Sequence, residues 1–192
     1  MRIPLTVLTL FLLQTAVSVT PIHAETAMVE DEEAVKAQII LNLPLVAGWP
    51  QGAIEEGEHI ALCTISGGKV ASYLESMAAM PSYADHIRYL PHTTSRQWRE
   101  CQVLFVDEQD KASMKEVLNT VEGFPVLTVG TPAGFATDKG MIGFLSTQKN
   151  IGLFSEKNVK FEINLRNTTA AGITLDPLLL ELAEKIIGEG AP

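Results

Sequence analysis

The sequence is poor in the residues that most often announce an activity. It holds two cysteines and four histidines in 192 residues. Two cysteines cannot by themselves furnish a four-ligand zinc or iron–sulfur site. The histidines make no H-x-x-x-H or H-E-x-x-H pair. No metal site and no cofactor are therefore expected, and scattered surface or strand positions account for His59, His86 and His92. Basic residues are scarce as well: 14 Lys and Arg stand against 23 Asp and Glu, a formal charge of −9. That balance excludes a nucleic-acid-binding surface of the usual basic kind. There is no G-x-S-x-G elbow and no complete P-loop. Ser66-Gly67-Gly68-Lys69 offers glycines and a lysine that suit an anion at a helix start, but a strand-to-helix turn explains the same residues. No catalytic residue is assigned.

Long apolar runs are missing too, except at the beginning. Met1-Arg2 is followed by Leu5 to Leu13 (LTVLTLFLL), then by polar residues ending at Ile22-His23-Ala24. A short apolar core closed by a small residue reads as a secretory signal peptide, cleaved after Ala24. A membrane span needs ~20 mostly apolar residues, and Gln14, Thr15, Ser18, Thr20 and Pro21 interrupt this stretch too soon. Removing 24 of the 192 residues leaves 168, and losing Arg2 takes the charge from −9 to −10. No cysteine sits at the cleavage site, so lipid attachment is not expected. The expected destination is the oxidising periplasm, where disulfides persist.

What remains is a globular composition, 46% apolar and 19% charged, with no dividing linker. Residues 25–192 read as one domain. Acidic Glu30 to Glu33 precede Val35, Ile39 and Leu43 at helical spacing, and Pro44 should kink or stop that helix. Residues 59–129 then read strand, helix, strand, strand, helix, strand. The strands are His59–Ile65, His86–Leu90, Cys101–Val106 and Pro125–Val129. The helices start at Val70 and near Met114, the second with Ser113 and Glu116 as a capping box. This alternation predicts an α/β sheet, mixed but mostly parallel, flanked by helices. Met141–Leu145 and Val159–Leu165 form a C-terminal antiparallel hairpin. In the second strand Lys160, Glu162 and Asn164 alternate with apolar residues, which predicts a half-exposed strand. A final helix follows, capped by Asp176, with Leu178, Leu182 and Ile186 facing inward and Gly188 as its stop.

Few residues stand out chemically. Glu55, Glu56 and Glu58 sit in a loop, and Asp107 and Glu108 follow a strand end; solvation and helix entry explain them more simply than catalysis. Trp49, beside Pro50, is either a plug for the core or an exposed recognition aromatic. Cys63 ends one strand and Cys101 starts another, so a disulfide is expected in an exported protein, two buried free thiols being the alternative. The bond would close a loop of about 39 residues and stabilise by roughly 4 kcal/mol in the chain-entropy model.

An ordered set of segments resembles the YfiR-like family of periplasmic proteins. They are Val35-Lys36-Ala37 with Asn42 and Trp49-Pro50; Cys101 to Val106; Pro125 to Gly130; Gly134-Phe135-Ala136; Gly140-Met141-Ile142; Phe161 to Asn164; and Ala171-Gly172-Ile173 followed by Leu179 and Leu182-Ala183. The resemblance spans roughly residues 35–187. It implies a single compact α/β domain and a non-enzymatic regulator. Such a protein binds the periplasmic part of an inner-membrane diguanylate cyclase and represses cyclic di-GMP synthesis, and thereby biofilm behaviour. An outer-membrane lipoprotein partner that relieves the repression, and a homodimer, are further implications. The family's cysteine pair falls on Cys63 and Cys101. Thr128, Gly130, Gly134, Phe135, Gly140, Met141, Ile142 and Asn164 carry its loop motif, as structural or as binding residues. Two departures stand out: Lys139-Gly140 replaces a glycine pair, and Met141 to Phe161 is about eight residues longer than usual. The competing reading is a periplasmic small-molecule binding or accessory module for another sensor or receptor.

Overall fold

Runs such as Val103-Leu104-Phe105-Val106 and Leu127-Thr128-Val129-Gly130 are buried at every residue, which happens only when both faces of a sheet are covered. The structure, a computed structural model, describes residues 31–55, 57–145, 150–151, 154–155 and 159–188. The expected signal peptide, with its cleavage after Ala24, and Glu56 lie outside the described residues. In chain order the elements are α1 (Glu32–Val46), β1 (Ala47–Gly48), β2 (Ile60–Thr64), α2 (Lys69–Ala78), α3 (Pro81–Ala84), β3 (Ile87–Leu90), β4 (Val103–Val106), α4 (Met114–Val121), β5 (Leu127–Gly130), β6 (Ile142–Leu145), β7 (Asn150–Ile151), β8 (Phe154–Ser155), β9 (Lys160–Asn164), α5 (Leu165–Ala170), β10 (Thr174–Leu175), α6 (Pro177–Leu182) and β11 (Lys185–Ile187).

Seven strands form one sheet in the order β3-β2-β4-β5-β6-β9-β11. The five from β3 to β6 are parallel, β9 is antiparallel to β6, and β11 runs parallel to β9. The mixed, mostly parallel α/β domain is thus as expected. Alternate side chains build two cores. On one face Leu62, Val103, Phe105, Leu127, Val129, Ile142, Phe144, Phe161 and Ile163 pack under α1 and α2. On the other, Cys63, Leu104 and Val106 meet α4, Trp98 and Phe135.

Four local expectations change. Pro44 does not end α1, which continues to Val46. The hydrogen bond that proline cannot donate falls in the last turn, where burial of Leu41 and Leu43 holds the helix down. Ser113 precedes α4 without a side-chain cap bond; the capping box forms instead at Asp107 and Asp110, around a short 3-10 turn. Strand β9 is not half-exposed: Glu162 and Asn164 are buried, because the connection between β5 and β6 covers that face. The C-terminal helix is short. Asp176 caps it and Pro177 begins it, yet it ends at Leu182, and Lys185–Ile187 becomes an edge strand on β9. Leu179 is the buried leucine, while Leu178 and Leu182 face solvent.

Cys63 and Cys101 are joined by a disulfide, with Cα atoms 6.0 Å apart. Both are buried, and the bond ties the end of β2 to the approach of β4 on the α4 face. Replacing both cysteines by serine, or reducing the bond, is expected to lower stability by about 2–4 kcal/mol. Guanidinium unfolding with and without reductant measures this, and coincident midpoints would refute it.

Candidate functional site

Parallel neighbours need a crossover, usually a helix. Strands β5 and β6 are parallel neighbours, yet residues 131–141 link them through turns alone. Phe135 takes the helix's place. Its ring is fully buried on the α4 face, in one cluster with Val117, Leu118, Val126 and the disulfide. The ring lies against the backbone at both ends of the crossover. A Cβ on Gly130 would meet it at 2.5 Å, and one on Gly140 would collide with the ring and stand 2.6 Å from the Phe135 carbonyl. Only glycine permits that approach.

Polar groups complete the clamp. Thr128 Oγ1 accepts from Met141 N at 3.0 Å. Asn164, projecting from β9, donates through Nδ2 to Ala136 O at 2.8 Å and accepts through Oδ1 from Asn167 N at 3.0 Å. Asn167 Nδ2 donates to Lys139 O at 2.8 Å. Lys139 stands where the resembling family has glycine, and it adopts the left-handed conformation, φ 83°. Its ammonium reaches Glu122 on the far side of α4's end at 3.0 Å. The structure therefore brings Thr128, Gly130, Gly134, Phe135, Gly140, Met141 and Asn164 together as one mostly buried assembly. Met141 takes part only through its backbone N; its side chain, like that of Ile142, lies in the opposite core. Trp49 is not part of it. The indole is half-buried against the α1-side core, with Nε1 enclosed and without a hydrogen-bond partner among the described residues.

A second feature follows from topology. Chain order along the sheet reverses between β2 and β4, the place where doubly wound folds open a crevice at the carboxyl ends of their strands. A depression of about 600 Å³ lies there, bounded by Lys36, Lys69, Val70, Asp107, Thr131 and Phe144 among others. Asp107 organises its floor. Its Oδ1 accepts from Thr131 Oγ1 at 2.9 Å and from Glu108 N at 2.7 Å. Its Oδ2 sits so close to Gly68 that a Cβ there would be 2.5 Å away. The helix start at Gly68-Lys69, which the sequence offered to an external anion, thus already faces a carboxylate of the chain itself.

The rim is equally self-paired. Lys69 Nζ lies 2.8 Å from Asp31 and 3.3 Å from Glu33, and Tyr73 donates its hydroxyl to Asp31 at 2.8 Å. Lys36 pairs with Glu32 at 2.7 Å. Hydrogen bonding to Glu33 first, and then to Lys69 and Tyr73, holds Asp31 well below the usual carboxylate range. The same contact with Asp31 raises Lys69 and Tyr73. This cluster fastens the start of α1 to α2, and the helical pattern of α1 did not disclose it. Asp107 did carry a signal, its place at the end of a strand, although its partners Thr131 and Gly68 lie far off in sequence. Among the described residues no three His, Cys, Asp or Glu gather as a metal site would require.

A model of the YfiR/HmsC-like family matches residues 33–184. The chain belongs to that family. The family as a whole is one of periplasmic regulators of diguanylate cyclase, and the disulfide of this chain is consistent with an oxidising compartment. Two solved structures share the fold. A conserved domain protein from Vibrio cholerae O1 biovar eltor superposes with a TM-score of 0.55 at 12% identity, over 81% of this chain and 60% of that one. The ABC domain in complex with L-Trp from Streptococcus pneumonia gives 0.50 at 11%, over 79% and 60%. The YfiR/HmsC-like chain thus spans 60% of the length of either neighbour. No curated protein matches it significantly in sequence.

Three variants test this geometry. Phe135→Ala should cost about 3–5 kcal/mol. Gly140→Ala should also destabilise, because the new methyl group and the ring exclude each other, and denaturant midpoints close to that of the unaltered protein would refute the clamp. Asp31 has a depressed folded-state pKa, so its stabilisation is complete above the ordinary carboxylate value and is lost as pH falls below about 4. Melting temperatures of the protein and of Asp31→Asn should therefore differ at pH 7 and converge on acidification; a constant difference would overturn the assignment.

Proposed function

We propose that the chain acts without catalysis, by binding the periplasmic part of an inner-membrane diguanylate cyclase and holding its cytoplasmic output low. The observation that carries this reading is the family match, which runs from the first helix to the approach of the last strand. The disulfide supports it, since a buried cross-link between β2 and β4 suits a rigid exported binder. The use of the family motif supports it too. Gly130, Phe135, Gly140 and Asn164 are spent on holding a crossover, and a protein that works by presenting a fixed surface needs such a scaffold. An acidic chain of net −9 favours a partner with basic patches. Relief of repression by an outer-membrane lipoprotein, and a homodimeric state, belong to the same proposal.

A small-molecule role is the second reading, favoured by the depression at the topological switch point with its apolar wall of Val70 and Phe144. Deleting the gene should raise cellular cyclic di-GMP severalfold, and restoring the exported chain should bring it back. Unchanged cyclic di-GMP across growth conditions would refute regulation, and a defined compound that raises the melting temperature of the purified protein would favour the second reading.

A further inference from the structure

Five large apolar side chains are exposed among the described residues, and three of them share one region. Leu45 is 69% exposed, Leu178 67% and Leu182 73%. The end of α1 and the start of α6 are brought together by the β1–β10 ladder and by the hydrogen bond from Asp176 N to Val46 O at 2.8 Å. Leu178 and Leu182 lie one helical turn apart on the same side of α6, while Leu179 between them is buried. Leu45 borders the same surface depression as Asp176, the residue that caps α6. A single exposed leucine is ordinary; three at one junction mark a contact surface.

Charge decides what covers it. Asp176 and Glu181 are exposed on α6 itself, and Glu184 beyond it is paired with Lys160 at 2.6 Å, leaving Lys185 as the cation that follows. The helix presents leucines between carboxylates, on a chain of net −9. A second copy would bring the same carboxylates face to face, at a repulsive cost, whereas a segment with apolar residues flanked by Lys or Arg meets both features. We infer that the Leu45–Leu178–Leu182 face is the surface by which this chain docks an apolar, basic-flanked segment of its membrane partner. The inference rests on the binding function proposed above.

The test uses the full mature protein and the purified periplasmic portion of the diguanylate cyclase, with binding followed by interferometry. Leu178→Ser with Leu182→Ser should weaken the complex at least about tenfold. Met80→Ser, at an exposed position elsewhere, should leave it unchanged. Glu181→Lys should slow association, and salt should weaken the unaltered complex. In the unaltered complex the amides of α6 should gain protection from hydrogen exchange, a readout that stands even where a variant folds poorly. Absence of binding by the unaltered chain would refute the proposed function. Binding that survives the double replacement, with α6 unprotected, would overturn this surface alone. Conversion of a dimer to a monomer by the replacement, with cyclase binding intact, would assign the face to self-association and overturn it as well.

Discussion

The contact between the Phe135 ring and the backbone of Gly130 and Gly140 is the constraint on which the sheet depends. Strands β5 and β6 are parallel, and no helix spans the link between them. Without a buried anchor, an eleven-residue turn structure would leave the α4-side face of β6 and β9 open to water, with Glu162 and Asn164 on it. The ring holds the link down, and Ala136 beside it covers Gly143 next to Glu162 and Asn164. The ring's packing requires glycine on either side, and it places the Ala136 carbonyl where Asn164 can donate to it. The antiparallel turn of the sheet at β9 is thereby linked to the parallel half. The left-handed Lys139 next to Gly140 is tolerated because its carbonyl and its ammonium are both held, by Asn167 and by Glu122.

Two further ties act at a distance from the clamp. The disulfide fixes β2 against β4 below the short 3-10 turn that carries Trp98. The Asp31–Lys69–Tyr73 group fastens α1 to α2 at the opposite side of the sheet. Three of the five large apolar side chains that stay exposed among the described residues lie by the junction of α1 with α6. An exposed apolar junction beside a well-tied sheet is compatible with the protein-binding role proposed above.

Much of this was legible beforehand, and the reasons are specific. The strand–helix alternation over residues 59–129 was readable because fully buried strands leave continuous apolar runs and surface helices leave a 3.6-residue period. The Cys63–Cys101 bond followed from two strand ends in a chain whose start reads as an export signal. Strand β9 misled, because alternation of polar and apolar residues normally marks a wet face, and here a loop covers that face. The C-terminal helix misled because Leu178, Leu182 and Ile186 keep helical spacing, while pairing of residues 185–187 with β9 outweighs local propensity. Asp107 was noticed for its position, but its bond to Thr131 and its closeness to Gly68 join segments far apart in the chain.

Sequence alone determined the element types in the parallel half, the family, the acidity and the expectation of export, since each rests on local pattern or on an ordered set of short motifs. Only the tertiary structure decided which of the motif residues share an assembly, which face of β9 is dry, and which leucines remain outside. Those properties are relations between segments far apart in the chain, such as Phe135 with Gly130 and Gly140, Asn164 with Ala136, and Val46 with Asp176. Burial and hydrogen bonding depend on what lies opposite a residue, and no window along the chain contains that information.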